Sequence, residues 1–158
     1  MQLQLPPEIR ARLAAAITSA PRREIGGILM GEHVEGEVFR VREVTVQRRG
    51  GTRATFRRAA DHTESPLRAF LDDTGHDYRR FNYLGEWHSH PAFAPEPSAV
   101  DHQTMRDIID DPDVGAYFAI LVIVRLDEQH RLQGTVTVYL PGGRIFGGQL
   151  IQEDDCDS

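Results

Sequence analysis

Along the chain the apolar positions change period several times, and each change marks an element. In PPEIRARLAAAITSAP, residues 6–21, Ile9, Leu13 and Ile17 recur every four positions, with Pro7 suited to a first helical turn and Pro21 beyond the end. That pattern predicts a helix with one buried face. IGGILMG, residues 25–31, is short, apolar and glycine-bounded, which reads as a buried strand. EVFRVREVTVQ alternates as a strand does, but its apolar phase moves from Phe39 and Val41 to Val44 and Val46, which predicts a bulge near Arg42. RRGG at 48–51 reads as a turn, with TRATFRR pairing back as a further strand. Ser65 and Pro66 look like a cap and first turn, and Leu67, Phe70, Leu71 and Thr74 extend a helix to about residue 80.

FNYLGEW is a strand that runs into GEWHSHP, and two prolines break AFAPEP. Ser98 opens a third helix carrying Val100, Met105, Ile108 and Ile109, which ends near Asp110 to Pro112. AYFAILVIVRL, rich in β-branched residues and apolar on both faces, is the most strand-like segment. GTVTVYL alternates, and PGGRIFGG reads as a turn with a short edge strand. Helices interleaved with strands predict an α/β fold, a mixed β-sheet flanked by helices, with the GEWHSHP strand at its center.

Composition narrows the partners. The chain has 158 residues, room for one domain and one core, with 18 Lys and Arg against 24 Asp and Glu, a formal charge of -6. The basic residues are scattered, which argues against nucleic acid as a partner. Cys156 is the only cysteine, so neither an internal disulfide nor a cysteine-rich zinc knuckle forms, and a reducing, cytoplasmic setting is expected. The start MQLQLPPEIR has no basic segment followed by an apolar run, and no stretch reaches membrane-spanning length, so no membrane association is expected. The domain is expected over residues 1–152, followed by an acidic disordered tail, EDDCDS, at 153–158.

Candidate chemistry gathers where the GEWHSHP strand ends. On an extended strand His88 and His90 project from one face, about 7 Å apart at Cα, and can converge on one ion. Zn²⁺ takes imidazole nitrogen and carboxylate oxygen, and a catalytic zinc has three protein ligands and an open position. Asp101, in the first turn of the next helix, is the natural third ligand, since the prolyl loop lets the chain fold back. Each piece also has a plainer reading. A His-x-His pair occurs in turns by chance, and Ser98-x-x-Asp101 before an apolar run is a capping box. Glu86 shares the histidines' face and competes as a base or as a carboxylate supporting His88. His102 points about 100° away from Asp101 on the helix, His33, His62, His76 and His130 read as solvated, and Trp87 faces the core.

HSHP, with seven residues between His90 and Ser98 and two more before Asp101, and Glu24 upstream in REIGGILMG, resembles the JAMM motif of the JAB/MPN zinc metalloprotease family, in the form of bacterial stand-alone JAB-domain deconjugases. The likeness covers residues 24–101 in order, so it is far more specific than any part. It implies a cytidine-deaminase-like JAB/MPN domain with zinc on His88, His90 and Asp101, Glu24 as the base in preference to Glu86, and Ser98 as an oxyanion donor. It further implies an isopeptidase or peptidase that cleaves after the C-terminus of a ubiquitin-like protein, releasing it from conjugates or processing its precursor. Some such relatives are encoded with activating and conjugating enzymes in antiphage operons. A sulfur-carrier peptidase that releases cysteine or a small adduct, and a catalytically silent MPN scaffold, stand as alternatives. With little room for specificity insertions, the substrate is expected to bind as an extended tail along a sheet edge.

Overall fold

Ile9, Leu13, Ala16 and Ile17 are all buried on a helix that runs Pro7–Ser19 (α1), so the four-residue period lays one face on the core as predicted. The computed structural model describes residues 1–47 and 60–154, and the predicted turn at 48–51 and strand at 52–58 lie outside these. Among the described residues seven strands follow the chain: β1 (Gln2–Leu5), β2 (Gly26–Glu35), β3 (Val38–Val44), β4 (Phe81–Ser89), β5 (Ala119–Leu126), β6 (Leu132–Leu140) and β7 (Arg144–Gln152). Two further helices, α2 (Ala60–Asp73) and α3 (Ala99–Ile109), interrupt them. The bulge in β3 sits where the phase shift put it. Met30 pairs with Glu43 and Gly31 with Val41, which leaves Arg42 as the extra residue.

The fold is mixed α/β with a mixed sheet, as expected, but the sheet is a closed barrel rather than simply a sheet flanked by helices. It closes into a barrel in the order β1-β3-β2-β4-β5-β6-β7. The closing strand is β1, four residues that run parallel to β3 on one side and to β7 on the other. Likewise β7 is no short edge strand: it pairs with both β6 and β1. Of its two glycines, Gly148 suits a crowded wall, since a Cβ there would lie 2.9 Å from Val136 Cγ1. Among the described residues every strand has a neighbour on each side, so no whole strand stands free as the sheet edge expected to take a substrate tail. At the far end Glu153 donates its N–H to the Leu5 carbonyl and pairs with Arg40 at 2.8 Å, so the ordered chain passes the predicted boundary at 152.

The second helix also departs from its predicted span of 65–80. It begins at Ala60 and carries Pro66 inside it. The missing proline N–H costs one bond of the helix ladder; Phe70, Leu67 and Leu71, packed against Ile28 and Met30, offset that loss. Its end is set by Gly75 at φ 72°, with the Gly75 N–H on the Asp72 carbonyl and the His76 N–H on the Leu71 carbonyl. This is a Schellman turn, which stops the helix before the apolar spacing runs out.

Side-chain alternation splits the core into three. Inside the barrel, α1 meets Leu29, Val41, Leu84, Trp87, Ile120, Val122 and Val136. Outside, α2 covers Ile28 and Met30, while α3 places Met105 and Ile109 over Leu121, Ile123 and Tyr139. The outer face of the C-terminal half of β4 lies between those two helical patches. Gly85 lets β4 and β5 pack at this point: its φ is 151°, and a Cβ there would lie 1.8 Å from the Ile120 carbonyl oxygen. Gly85→Ala is expected to cost about 3 kcal/mol from the clash and the backbone strain. Urea unfolding would show it as a lower midpoint at an unchanged slope.

Candidate active site

Between the two outer helices β4 presents Glu86 and His88, and the residue after its end presents His90, all buried, while Trp87 turns inward and donates its indole N–H to the Thr45 carbonyl at 2.8 Å. The alternation expected for the histidine pair is therefore realised. His90 Nδ1 lies 3.2 Å from the Ala94 carbonyl, which can only accept, so Nδ1 carries the proton and Nε2 turns its lone pair to the site. The prolyl loop that supplies Ala94 is itself held by a hydrogen bond from the Thr135 hydroxyl to the Pro95 carbonyl.

Asp101 arrives from α3. Ser98 and Asp101 form the capping box that their spacing suggested: the Ser98 hydroxyl accepts from the Asp101 N–H at 3.2 Å, and Asp101 Oδ2 accepts from the Ser98 N–H at 2.8 Å. The Ser98 hydroxyl also donates to Asp101 Oδ2, at 2.8 Å. The cap thus fixes the carboxylate, which has no solvent exposure, with Oδ1 3.3 Å from His88 Nδ1 and Oδ2 3.7 Å from His90 Nε2. Behind it, the His102 ring on the next residue meets the buried Tyr139 hydroxyl at 2.8 Å. Burial, with Asp101 adding to it, pushes the Tyr139 phenol well up, so the hydroxyl keeps its proton, and its contact with the His102 ring pins the first turn of α3 to β6.

Two more carboxylates complete the cluster. Glu86 Oε2 lies 3.5 Å from His88 Nε2, on the side of the ring away from Asp101. Glu24 stands at the mouth, about half exposed, with Oε1 4.0 Å from His90 Nε2. All five residues singled out from the sequence are therefore brought to one place. Missing from that set is Ser89, which has no solvent exposure and bonds Ile25, the neighbour of Glu24, through both its N–H and its hydroxyl. Its only sequence signal is its place between the two histidines. Of the histidines read as solvated, His33 and His76 are exposed and bond Gly36 and Tyr78, and His130 is exposed at φ 58°.

Charge is distributed unequally. Burial opposes a proton on His88, but hydrogen bonds to Asp101 and Glu86 outweigh it and push the imidazole up to about 9. Burial would raise Asp101 too, yet its bonds to His88 and Ser98 hold it well below the carboxylate range. Being raised, His88 contributes stability that is fully present below its unfolded value near 6.5 and lost as pH climbs through about 9. Asp101, being lowered, contributes above about pH 4 and loses its contribution on acidification. The melting temperature of chelator-treated protein is therefore expected to fall between pH 6.5 and 9.5. A flat profile would remove the His88–Asp101 pair as a source of stability.

Among the described residues no three His, Cys, Asp or Glu groups form a ready metal cage, because these donors lie against one another. Their chemistry nevertheless suits zinc: two imidazoles and a carboxylate, buried and facing a carboxylate at the mouth. Ligands about 2.0 to 2.1 Å from a tetrahedral ion stand about 3.3 Å apart, close to the 3.3 and 3.7 Å that separate Asp101 from the two rings.

Comparison with known proteins adds a lineage. Residues 6–135 match a family described as prokaryotic homologs of the JAB domain. Two curated proteins, each described as a CD-NTase/cGAS isopeptidase, are 32% identical to the chain. The one from Vibrio cholerae serotype O1 aligns over 108 residues, 66% of this chain and 64% of its own length. The other, from Enterobacter hormaechei subsp. hoffmannii, aligns over 104 residues, 64% of this chain and 54% of its own, so the chain spans only part of each relative. Among solved structures, a solution structure of a protein from Desulfitobacterium hafniense superposes with a TM-score of 0.62 at 17% identity, covering 98% of this chain and 95% of that one. Another, from Salinibacter ruber, gives 0.52 at 17% identity over 97% and 93%. At such identities these two likenesses show the fold alone. No helix among the described residues is long and apolar enough to cross a membrane.

Proposed function

The chain belongs to the prokaryotic homologs of the JAB domain, and from that premise we propose that it is a zinc-dependent isopeptidase that cleaves after the C-terminus of a ubiquitin-like modifier. It would remove the modifier from conjugates or process its precursor, within a bacterial antiphage conjugation system with operon-encoded activating and conjugating enzymes. The observation that carries this reading is the cluster itself: buried Asp101 within 3.3 and 3.7 Å of two imidazoles, and the Glu24 carboxylate 4.0 Å from the second. The name shared by the two curated relatives makes a CD-NTase the first conjugated target to try.

In this reading His88, His90 and Asp101 would hold the ion. Bound there, zinc supplies a Lewis acid that polarises the scissile carbonyl and brings a water's pKa toward neutrality. Glu24 at the mouth takes the proton of the attacking water and returns it to the leaving amine. The Ser98 hydroxyl, at the exposed start of α3, turns from Asp101 to donate to the oxyanion. Glu86, 3.5 Å from the far nitrogen of His88, would keep that ring in its orientation as the supporting carboxylate common behind metal-bound histidines. A substrate would reach the site past the half-exposed Glu24 at its mouth.

Purified protein is expected to release a lysine-linked ubiquitin-like conjugate, and a chelator is expected to stop it until zinc is restored. Cleavage unaffected by complete zinc removal would sink the metal assignment. Preference for a carrier–cysteine adduct over the lysine-linked conjugate would turn the reading to a sulfur-carrier peptidase. No cleavage of either by zinc-loaded protein would leave a silent scaffold.

A further inference from the structure

We infer that Ser89 is a positioning residue, a latch that holds the segment bearing Glu24 against the histidine strand. The inference rests on the assignment of Glu24 as the base. Where β2 and β4 pair regularly, Gly26 faces His88 and Gly27 faces Trp87. One step further, Ile25 and Ser89 would exchange two backbone bonds in a regular antiparallel ladder. Only one of them is backbone to backbone: the Ser89 N–H donates to the Ile25 carbonyl at 2.8 Å. The other half of the exchange is made by a side chain, because the Ile25 N–H donates to the Ser89 hydroxyl oxygen at 3.0 Å. The two strands splay at this step, and the hydroxyl spans the gap that a carbonyl would otherwise close.

The splay has a use. Ser89 and Ile25 are both buried, and they sit between the two zinc-ligand candidates on one strand and Glu24 on the other. The segment before Ile25 is exposed, from Pro21 to Glu24, and its backbone is tied down only by the bond from the Arg23 N–H to the Ala20 carbonyl, among the described residues. The direction in which Glu24 leaves the sheet is therefore set at Ile25, and Ile25 is set by Ser89. Alanine at 89 would leave a buried amide with no acceptor, and the local answer is for Ile25 to move outward and carry Glu24 with it. Displacing a general base by about 1 Å costs about 10²-fold in rate without altering the ligands of the ion.

The test compares Ser89→Ala with Ser89→Thr, which keeps the hydroxyl, in the full chain. Amide hydrogen exchange on the chelator-treated protein reads the latch without catalysis: Ile25 exchange is expected to speed up about tenfold in the alanine variant and to recover in the threonine variant. With zinc restored, the alanine variant is expected to bind it stoichiometrically and to lose about 10- to 100-fold in kcat at an unchanged KM, with threonine recovering the rate. Unchanged Ile25 exchange together with full kcat in Ser89→Ala overturns the inference, and so does a loss of zinc that accounts for the whole loss of rate. Fast Ile25 exchange beside full activity of Glu24→Gln overturns the base assignment instead, leaving the latch as a feature of the fold alone.

Discussion

Glu24→Gln is expected to abolish turnover, lowering kcat by about 10²- to 10⁴-fold while zinc stays bound and the melting temperature holds. The argument turns on how little else Glu24 does. Its carboxylate is about half exposed, and its one contact among the described residues is the 4.0 Å approach to His90 Nε2. An isosteric amide there removes no buried pair, so stability should shift by no more than about 0.5 kcal/mol. What it removes is the ability to accept a proton. Turnover by single-substrate assay, metal content and a thermal melt on the same preparation separate these quantities. Undiminished activity would move the base to Glu86, which shares the face of His88 and approaches that ring to 3.5 Å.

Asp101→Ala is expected to act on everything at once. Three bonds end on or start from this residue at the capping box, and its other oxygen faces His88. With the carboxylate fully buried, truncation strands a raised imidazole and opens the first turn of α3. Breaking a buried ion pair from one side costs about 3 to 5 kcal/mol, on the order of a 10 °C fall in melting temperature for a domain of this size. Zinc binding and activity should vanish together. Asp101→Asn discriminates, because the amide oxygen can still accept from Ser98: it should lose metal and activity while keeping most of the cap. If the asparagine variant held zinc at full affinity, Asp101 would be a helix cap and nothing more.

Local pattern carried much of the architecture. The helix through Ile9, Leu13 and Ile17, the bulge at Arg42 and the cap at Ser98 each follow from a period or a spacing contained in one element. What the pattern could not carry was set between elements. The sheet closes because four residues of β1 find β3 and β7, and nothing in QLQL says which strands those are. The end of α2 was misread because Thr74 continues an apolar spacing, and the backbone of Gly75 and His76 overrides it. At the candidate site the residue types and spacing announced which groups belong together. The link between Glu24 and the histidine strand runs instead through the Ser89 hydroxyl, from a position where alternation promises only a buried side chain.

Barrel closure also orders events in time. In β1, Gln2 lies beside Gln149, so β1 has to wait for a strand that leaves the ribosome much later before both its neighbours exist. Contacts so distant in sequence are the slow ones to form, since the intervening chain must be ordered before they return any stability. Until then Leu3 and Leu5, which end up fully buried, are exposed apolar residues on an unpaired strand. The candidate cluster draws on β4, α3 and the approach to β2, all complete well before that closure, so it can assemble in a chain whose wall is still open.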